Sequence, residues 1–197
     1  MYEYLKGPVA ELSPTHVVIE GSGLGYHILI SLQTFSALQK EHGPVQLWLH
    51  HHVREDVQLL YGFAQKCERE MFRLLITTSG IGPNSARMIL SSLSSEELRQ
   101  ALLSEDLIRL KSIKGIGLKT AQRLIVELKD KVAKAGFEGE SSPLSGTSGG
   151  TIRQEASMAM QMLGFPKTSV DKTIDRLLQQ NAGYSLEELI KIALKQI

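Results

Sequence analysis

Two segments in the middle of this chain repeat one pattern, G-I-G-x-x-x-A, thirty-five residues apart: Ser79-Gly80-Ile81-Gly82-Pro83-Asn84-Ser85-Ala86 and Lys114-Gly115-Ile116-Gly117-Leu118-Lys119-Thr120-Ala121. An apolar run of helical spacing precedes each pair of glycines, 71–76 and 107–113, and another follows, 86–90 and 121–128. Each copy therefore reads as helix, tight turn, helix. Paired glycines allow a positive φ and let a ligand approach the bare backbone, while the following helix opens with unpaired N–H groups and the positive end of its dipole. Such a turn suits a nucleic-acid phosphate. Ala86 and Ala121 would let the paired helices approach closely, and Ile81 and Ile116 would plug the turns into a core.

One G-x-G could be no more than a helix C-cap. Two copies of the same layout fit the helix-hairpin-helix pattern, which holds phosphates without reading bases. A dinucleotide fingerprint is excluded by the missing third glycine and by the helix, not strand, before the loop. A P-loop is excluded because no Gly-Lys-Ser/Thr follows the spacer.

The balance of charge supports a local phosphate surface over a basic coat. The net charge is only +1, yet residues 109–134 carry Arg109, Lys111, Lys114, Lys119, Arg123, Lys129, Lys131 and Lys134 against Glu127 and Asp130. A charge run of this kind is ordinarily a solvated helix face; its overlap with the second turn favours phosphate binding. With one cysteine, Cys67, the 197-residue chain has no disulfide framework or thiolate zinc site. We read Cys67 as structural or neutral. The absence of a signal-like start and of any apolar stretch of about 18 residues predicts a soluble, cytoplasmic protein with no membrane partner.

The rest of the chain falls into distinct stretches. Residues 1–63 alternate as strands do, with candidates at 4–12, 16–20, 25–30 and 45–50 separated by Ser13-Pro14, Gly21-Ser22-Gly23 and Gly43-Pro44. Short, closely spaced strands predict a small barrel, consistent with an oligonucleotide-binding (OB) type of fold. Residues 64–135 turn helical, with N-cap candidates at Ser94 and in Ser104-Glu105-Asp106. Residues 136–150 are rich in Gly and Ser and read as a flexible linker. Residues 151–197 hold three helix-sized segments, 153–163, 169–180 and 185–196, a unit small enough to suit docking to a partner. The fold class is thus α+β and multidomain: OB-type barrel, all-α double hairpin, three-helix (UBA-like) tail.

The stretch Val53-Arg54-Glu55-Asp56-Val57-Gln58-Leu59-Leu60-Tyr61-Gly62-Phe63 closely resembles the V-R-E-D-x-Q-L-L-Y-G-F of the RuvA family, the Holliday-junction-binding subunits of the bacterial branch-migration machinery. Gly23-Leu24-Gly25-Tyr26, both hairpins and the run Thr120 to Asp130 support the resemblance, which covers nearly the whole chain. It implies a non-catalytic DNA-binding homotetramer, without cofactor, that holds four-way junction DNA open for the hexameric ATPase RuvB. The resolvase RuvC and a second tetramer are further partners it leaves open. By the same resemblance, Glu55 and Asp56 form an acidic pin at the junction centre, where adjacent carboxylates repel phosphate by about 1 kcal/mol per charge pair at 4 Å in water. The amides of Gly80, Gly82, Gly115 and Gly117, with Lys119, Arg123 and Lys129, would meet the DNA backbone. Leu163, Phe165, Ile190 and Leu194 would dock the motor or, alternatively, fill the three-helix core. The chain departs from the family where Asn84 and Leu118 stand in place of frequent lysines, which predicts weaker phosphate contact and a shallower salt slope unless Lys114 compensates. Its opening Tyr2-Glu3-Tyr4 also differs from the family's small or basic start.

Other readings of these residues compete. Without the resemblance, Glu55-Asp56 is a charged loop; as a metal-binding nuclease pair it lacks the further convergent ligands a two-metal site needs. His50-His51-His52 invites a metal, but neighbours on a strand point to opposite faces, so three in a row cannot converge on one ion. A helix-hairpin-helix glycosylase would place a catalytic acid downstream of one hairpin, and Asp130 is the nearest such residue, read most simply as surface charge. For a sequence-specific binder, no helix rich in Arg, Asn and Gln stands out.

Overall fold

A computed structural model describes residues 2–134, 152–181 and 183–196, so the predicted linker 136–150 lies outside the described residues. The chain divides into two compact units, 1–139 and 140–197.

The first unit opens with β1 (Tyr4–Gly7), β2 (Val9–Leu12), β3 (His16–Gly21), β4 (Leu24–Ile30), helix α1 (Leu32–Leu38), β5 (Val45–Val53) and β6 (Gln58–Phe63). The sheet runs β1-β5-β6-β4-β3-β2, with only β4 and β6 parallel. The single strand expected over 4–12 is two half-strands broken at Gly7-Pro8. One half pairs with β5 and the other with β3, so a bent N-terminal strand occupies both margins and closes the sheet into a barrel. The bend requires glycine: a Cβ at Gly7 would lie 2.0 Å from the carbonyl oxygen of Glu20. Proline follows without loss, since its free carbonyl accepts the Glu20 N–H at 3.0 Å. Alternation on β3, β4 and β5 turns Val17, Ile19, Ile28, Ile30, Val45, Leu47 and Leu49 inward to form the barrel core. Full burial of such side chains contributes about 1.5–3 kcal/mol each.

The helical part comprises α2 (Lys66–Ile76), α3 (Pro83–Ser92), α4 (Ser95–Leu103), α5 (Leu107–Lys111) and α6 (Leu118–Lys134). Ser94 starts α4 through a reciprocal capping box with Glu97, as its sequence suggests, and Asp106 rather than Ser104 caps α5. The core of this part, from Met71, Phe72 and Leu75 through Ile89, Leu102, Leu110, Leu124 and Leu128, also takes in Tyr61 and Phe63 of β6. The last barrel strand thus contributes to the hairpin core, beside a separate barrel core.

Two neighbouring charges in the first turns of α2 fasten this contact. Glu68, 5% exposed, accepts hydrogen bonds from the hydroxyls of Ser31 and, at 2.8 Å, Thr34. Those hydroxyls in turn accept the amides of Thr34 and Ala64, both at 3.0 Å, so each is satisfied twice. Arg69, 1% exposed, reaches the Glu3 carboxylate at 2.7 Å, the Glu3 carbonyl at 3.0 Å and Glu70 at 2.9 Å, and lies 5.2 Å from the centre of the Trp48 ring. A buried carboxyl persists when hydrogen-bonded in this way, and a buried guanidinium when it is also paired.

The second unit holds α7 (Ile152–Met162), α8 (Lys167–Gln180) and α9 (Leu186–Gln196) around Ala156, Met160, Val170, Ile174, Leu177, Leu189 and Ala193. Gly164, at φ +96°, turns the chain out of α7. An Arg153–Asp175 ion pair ties α7 to α8.

Candidate nucleic-acid interface

The two G-I-G segments fold alike, bond by bond. In the first turn the amides of Thr78, Ile81 and Ala86 bond to the carbonyls of Leu75, Thr78 and Gly82; in the second, those of Ile113, Ile116 and Ala121 bond to Leu110, Ile113 and Gly117. Each partner lies thirty-five positions on. Ile81 and Ile116 plug the turns at 5% and 7% exposure, and Ala86 and Ala121 are fully buried where the helices meet. Only the first glycine of each pair needs its freedom: Gly80 and Gly115 take φ +88° and +86°. Gly82 is an extended N-cap at φ −87°, which any residue can adopt. No atom would lie within 4 Å of a Cβ at Gly80, Gly82 or Gly117, so these turns present bare backbone to solvent.

The helices that follow begin with amides that have no partner within the helix, the geometry that receives an anion. Pro83 removes one such donor from the first hairpin, whereas Leu118 at the matching position keeps its own. Among the cations assigned to phosphate, Lys119 is exposed on the first turn of α6. Lys129 is engaged at 2.5 Å by Glu105, whose hydrogen bond, helped by its charge, raises the ammonium pKa. Arg123 donates from Nη1 to the Ser79 carbonyl at 3.1 Å, across to the other hairpin. Asn84 accepts a hydrogen bond from the Tyr61 hydroxyl at 3.4 Å, a role that a lysine there would not fill, and Leu118 is half exposed.

Glu55 and Asp56 form the tip of the β5–β6 hairpin, in a four-residue loop closed by the Arg54 amide on the Val57 carbonyl at 2.8 Å. Both acids are exposed. Behind the tip, His50 and His52 share one face of β5 with rings 6.3 Å apart, while His51 packs against Tyr2 at 5.2 Å. His50 lies against Phe72, 5.2 Å between ring centres; burial, with Arg73 beside it, pulls its pKa down to about 4. No group of three or more metal-ligating side chains comes together among the described residues.

In the second unit the four expected docking residues separate. Leu163 and Leu194 are exposed at 60% and 43%, whereas Phe165 and Ile190 pack against the three-helix core. Met158 and Met162, one helical turn apart on α7, are exposed at 66% and 84% and belong with Leu163; sequence reasoning passed over them because a methionine reads equally as core. On the hairpins, Ile108 and Val126 are exposed at 85% and 80%, apolar side chains that periodicity alone assigns to a helix interior. Among the described residues no helix is long and apolar enough to cross a membrane.

Three family models match the chain in order: RuvA N terminal domain over residues 1–62, SAM-like Helix-hairpin-helix tandem over 72–130, and RuvA, C-terminal domain over 151–197. Similar proteins include those of Christiangramia forsetii, 44% identical, and Bacteroides fragilis, 46% identical, each aligned over 100% of both chains. Another, from Cytophaga hutchinsonii, is 46% identical over 99% of both. All three are named Holliday junction branch migration complex subunit RuvA. Identity of this order from end to end, with the matched models in the family's order, makes the chain a member of the RuvA family.

Proposed function

We propose that this chain is a non-catalytic DNA-binding subunit that recognises the shape of a four-way (Holliday) junction, holds it open, and recruits a RuvB ATPase that drives branch migration. The observation that carries this reading is the pair of congruent glycine turns, each presenting bare backbone and a helix N-terminus, in one compact unit with an exposed acidic hairpin tip. The turns bind phosphates of any sequence. Glu55 and Asp56 repel phosphate, so a continuous duplex laid across the tip is penalised and an open crossover is accepted.

The parts work in sequence order: barrel with pin, tandem hairpins, linker, and a three-helix module that docks the motor through Leu163, Met158, Met162 and Leu194. Four copies in a ring would offer eight hairpins to four arms with the pins at the centre, acting in the cytoplasm. Exposed Ile108 and Val126 supply an apolar face on which two such rings would pair. The nearest downstream acid, Asp130, is exposed on α6, as surface charge would be.

The test is a salt titration of binding to a synthetic four-way junction, with a linear duplex of equal length as competitor. Strong junction preference, a steep salt slope and intact strands are expected. Equal affinity for duplex, or cleavage of the DNA by pure protein, would overturn the reading.

A further inference from the structure

The two hairpins match in backbone yet differ in how they are held. Three donors from elsewhere in the fold converge on the first. Arg123 on α6 donates to the Ser79 carbonyl at 3.1 Å, Lys131 on α6 to the Thr77 hydroxyl at 3.3 Å, and Tyr61 on β6 to Asn84 at 3.4 Å. Its second helix is also fixed to the barrel, through Arg87 on the Thr15 carbonyl at 2.9 Å and the Leu32 amide on the Ser91 hydroxyl at 3.1 Å. In the second turn, residues 112–117, none of the hydrogen bonds among the described residues comes from another element.

The Arg123 bond is the informative one. Ser79 C=O and Gly80 N–H belong to a single planar peptide and point in opposite directions, so anchoring the oxygen aims the amide. Gly80 sits at φ +88°, where a glycine peptide is otherwise free to rotate. Among the described residues the matching Lys114–Gly115 peptide has no such anchor.

We propose that Arg123 is a positioning residue: its guanidinium, carried on the second helix of the second hairpin, aims the Gly80 amide of the first. The first hairpin is thereby set before DNA arrives, and the second relies on its own backbone. Arg123 differs in this from Lys119, whose exposed ammonium has the phosphate as its target. The DNA arm of the following test rests on the junction reading; the first arm does not.

In the DNA-free full chain, 15N relaxation of backbone amides would compare the native protein with Arg123→Ala, a substitution that a half-exposed helical site accommodates. The order parameters of Gly80 to Gly82 are expected to fall by about 0.2 from the rigid range near 0.85, while those of Gly115 to Gly117 stay put. No change in the first turn, or an equal fall in both, would overturn the proposal. In junction titrations, Arg123→Ala is expected to weaken binding about fivefold with the salt slope unchanged, as misaimed donors would. Lys119→Ala is expected to lower the slope by about 0.9 for each phosphate contact removed. An equal drop in slope for Arg123→Ala would place the guanidinium on a phosphate and overturn its positioning role. Absence of junction binding by the native protein would sink the functional reading and leave the relaxation result standing.

Discussion

Two pairs of adjacent charges, thirteen residues apart, are treated in opposite ways. Glu68 and Arg69 are buried, and each has its own partners: hydroxyls to the carboxylate, and carbonyl, carboxylates and an indole face to the guanidinium. Glu55 and Asp56 stand on a hairpin tip in solvent. The first pair does its work on the protein, fixing α2 to the barrel and so the hairpins to the pin. Among the described residues the second makes no side-chain hydrogen bond or ion pair, which leaves its charge available to act on something outside. On the function proposed above, the distance between turns and tip would carry the information about shape, and the buried pair fixes the helix that leads from one to the other.

The contrast can be broken most forcefully at Glu68. Replacement by Ala strands the Ser31 and Thr34 hydroxyls without an acceptor and is expected to cost about 2–4 kcal/mol in denaturant unfolding. A loss under about 1 kcal/mol would mean the network is not a fastening. The combined Glu55→Gln and Asp56→Asn change should leave stability within about 0.5 kcal/mol while lowering the preference for junction over duplex about tenfold. Unchanged preference would remove the repulsive role from the tip.

The smallest effect is in pH. Burial raises the pKa of Glu68 against the opposing pull of its two hydroxyl donors, so the folded state holds that proton more tightly than the unfolded chain. Its contribution therefore falls as pH rises from the ordinary carboxylate range through the raised value. His50 has the opposite sign: depressed from 6.5 to about 4, it is kept neutral by the fold, and stability falls as pH drops through that interval. Denaturant unfolding across weakly acidic pH should show Glu68→Gln losing the first slope and His50→Gln the second. Identical pH profiles for native protein and both variants would show that neither group is linked to folding.

The hairpins were legible because their signal is local. A glycine at positive φ, an isoleucine plug and a small residue at the helix contact all fall within eight consecutive positions, and repetition removes the ambiguity of one copy. The barrel was legible from alternation, except where tertiary closure bends a strand at Gly7-Pro8 and where α1, a short helix started by Ser31, hides among strands. The fastening at Glu68 and Arg69 was not legible. Its partners stand at positions 3, 31, 34 and 48, and a sequence read along its length gives charged residues at the start of a helix no reason to be inside. Arg123 looked like one cation among many for the same reason: its carbonyl partner is forty-four residues away.

The bend at Gly7-Pro8 also governs how copies of this chain can meet. Because one strand lines both margins of the barrel sheet, the margins left unpaired are two half-strands of four residues each, interrupted by a proline. Edges so short offer poor templates for adding a strand from another molecule. Any association between copies would then favour side-chain surfaces, whose fit can specify a fixed number of copies, over backbone ladders, which have no natural stopping point.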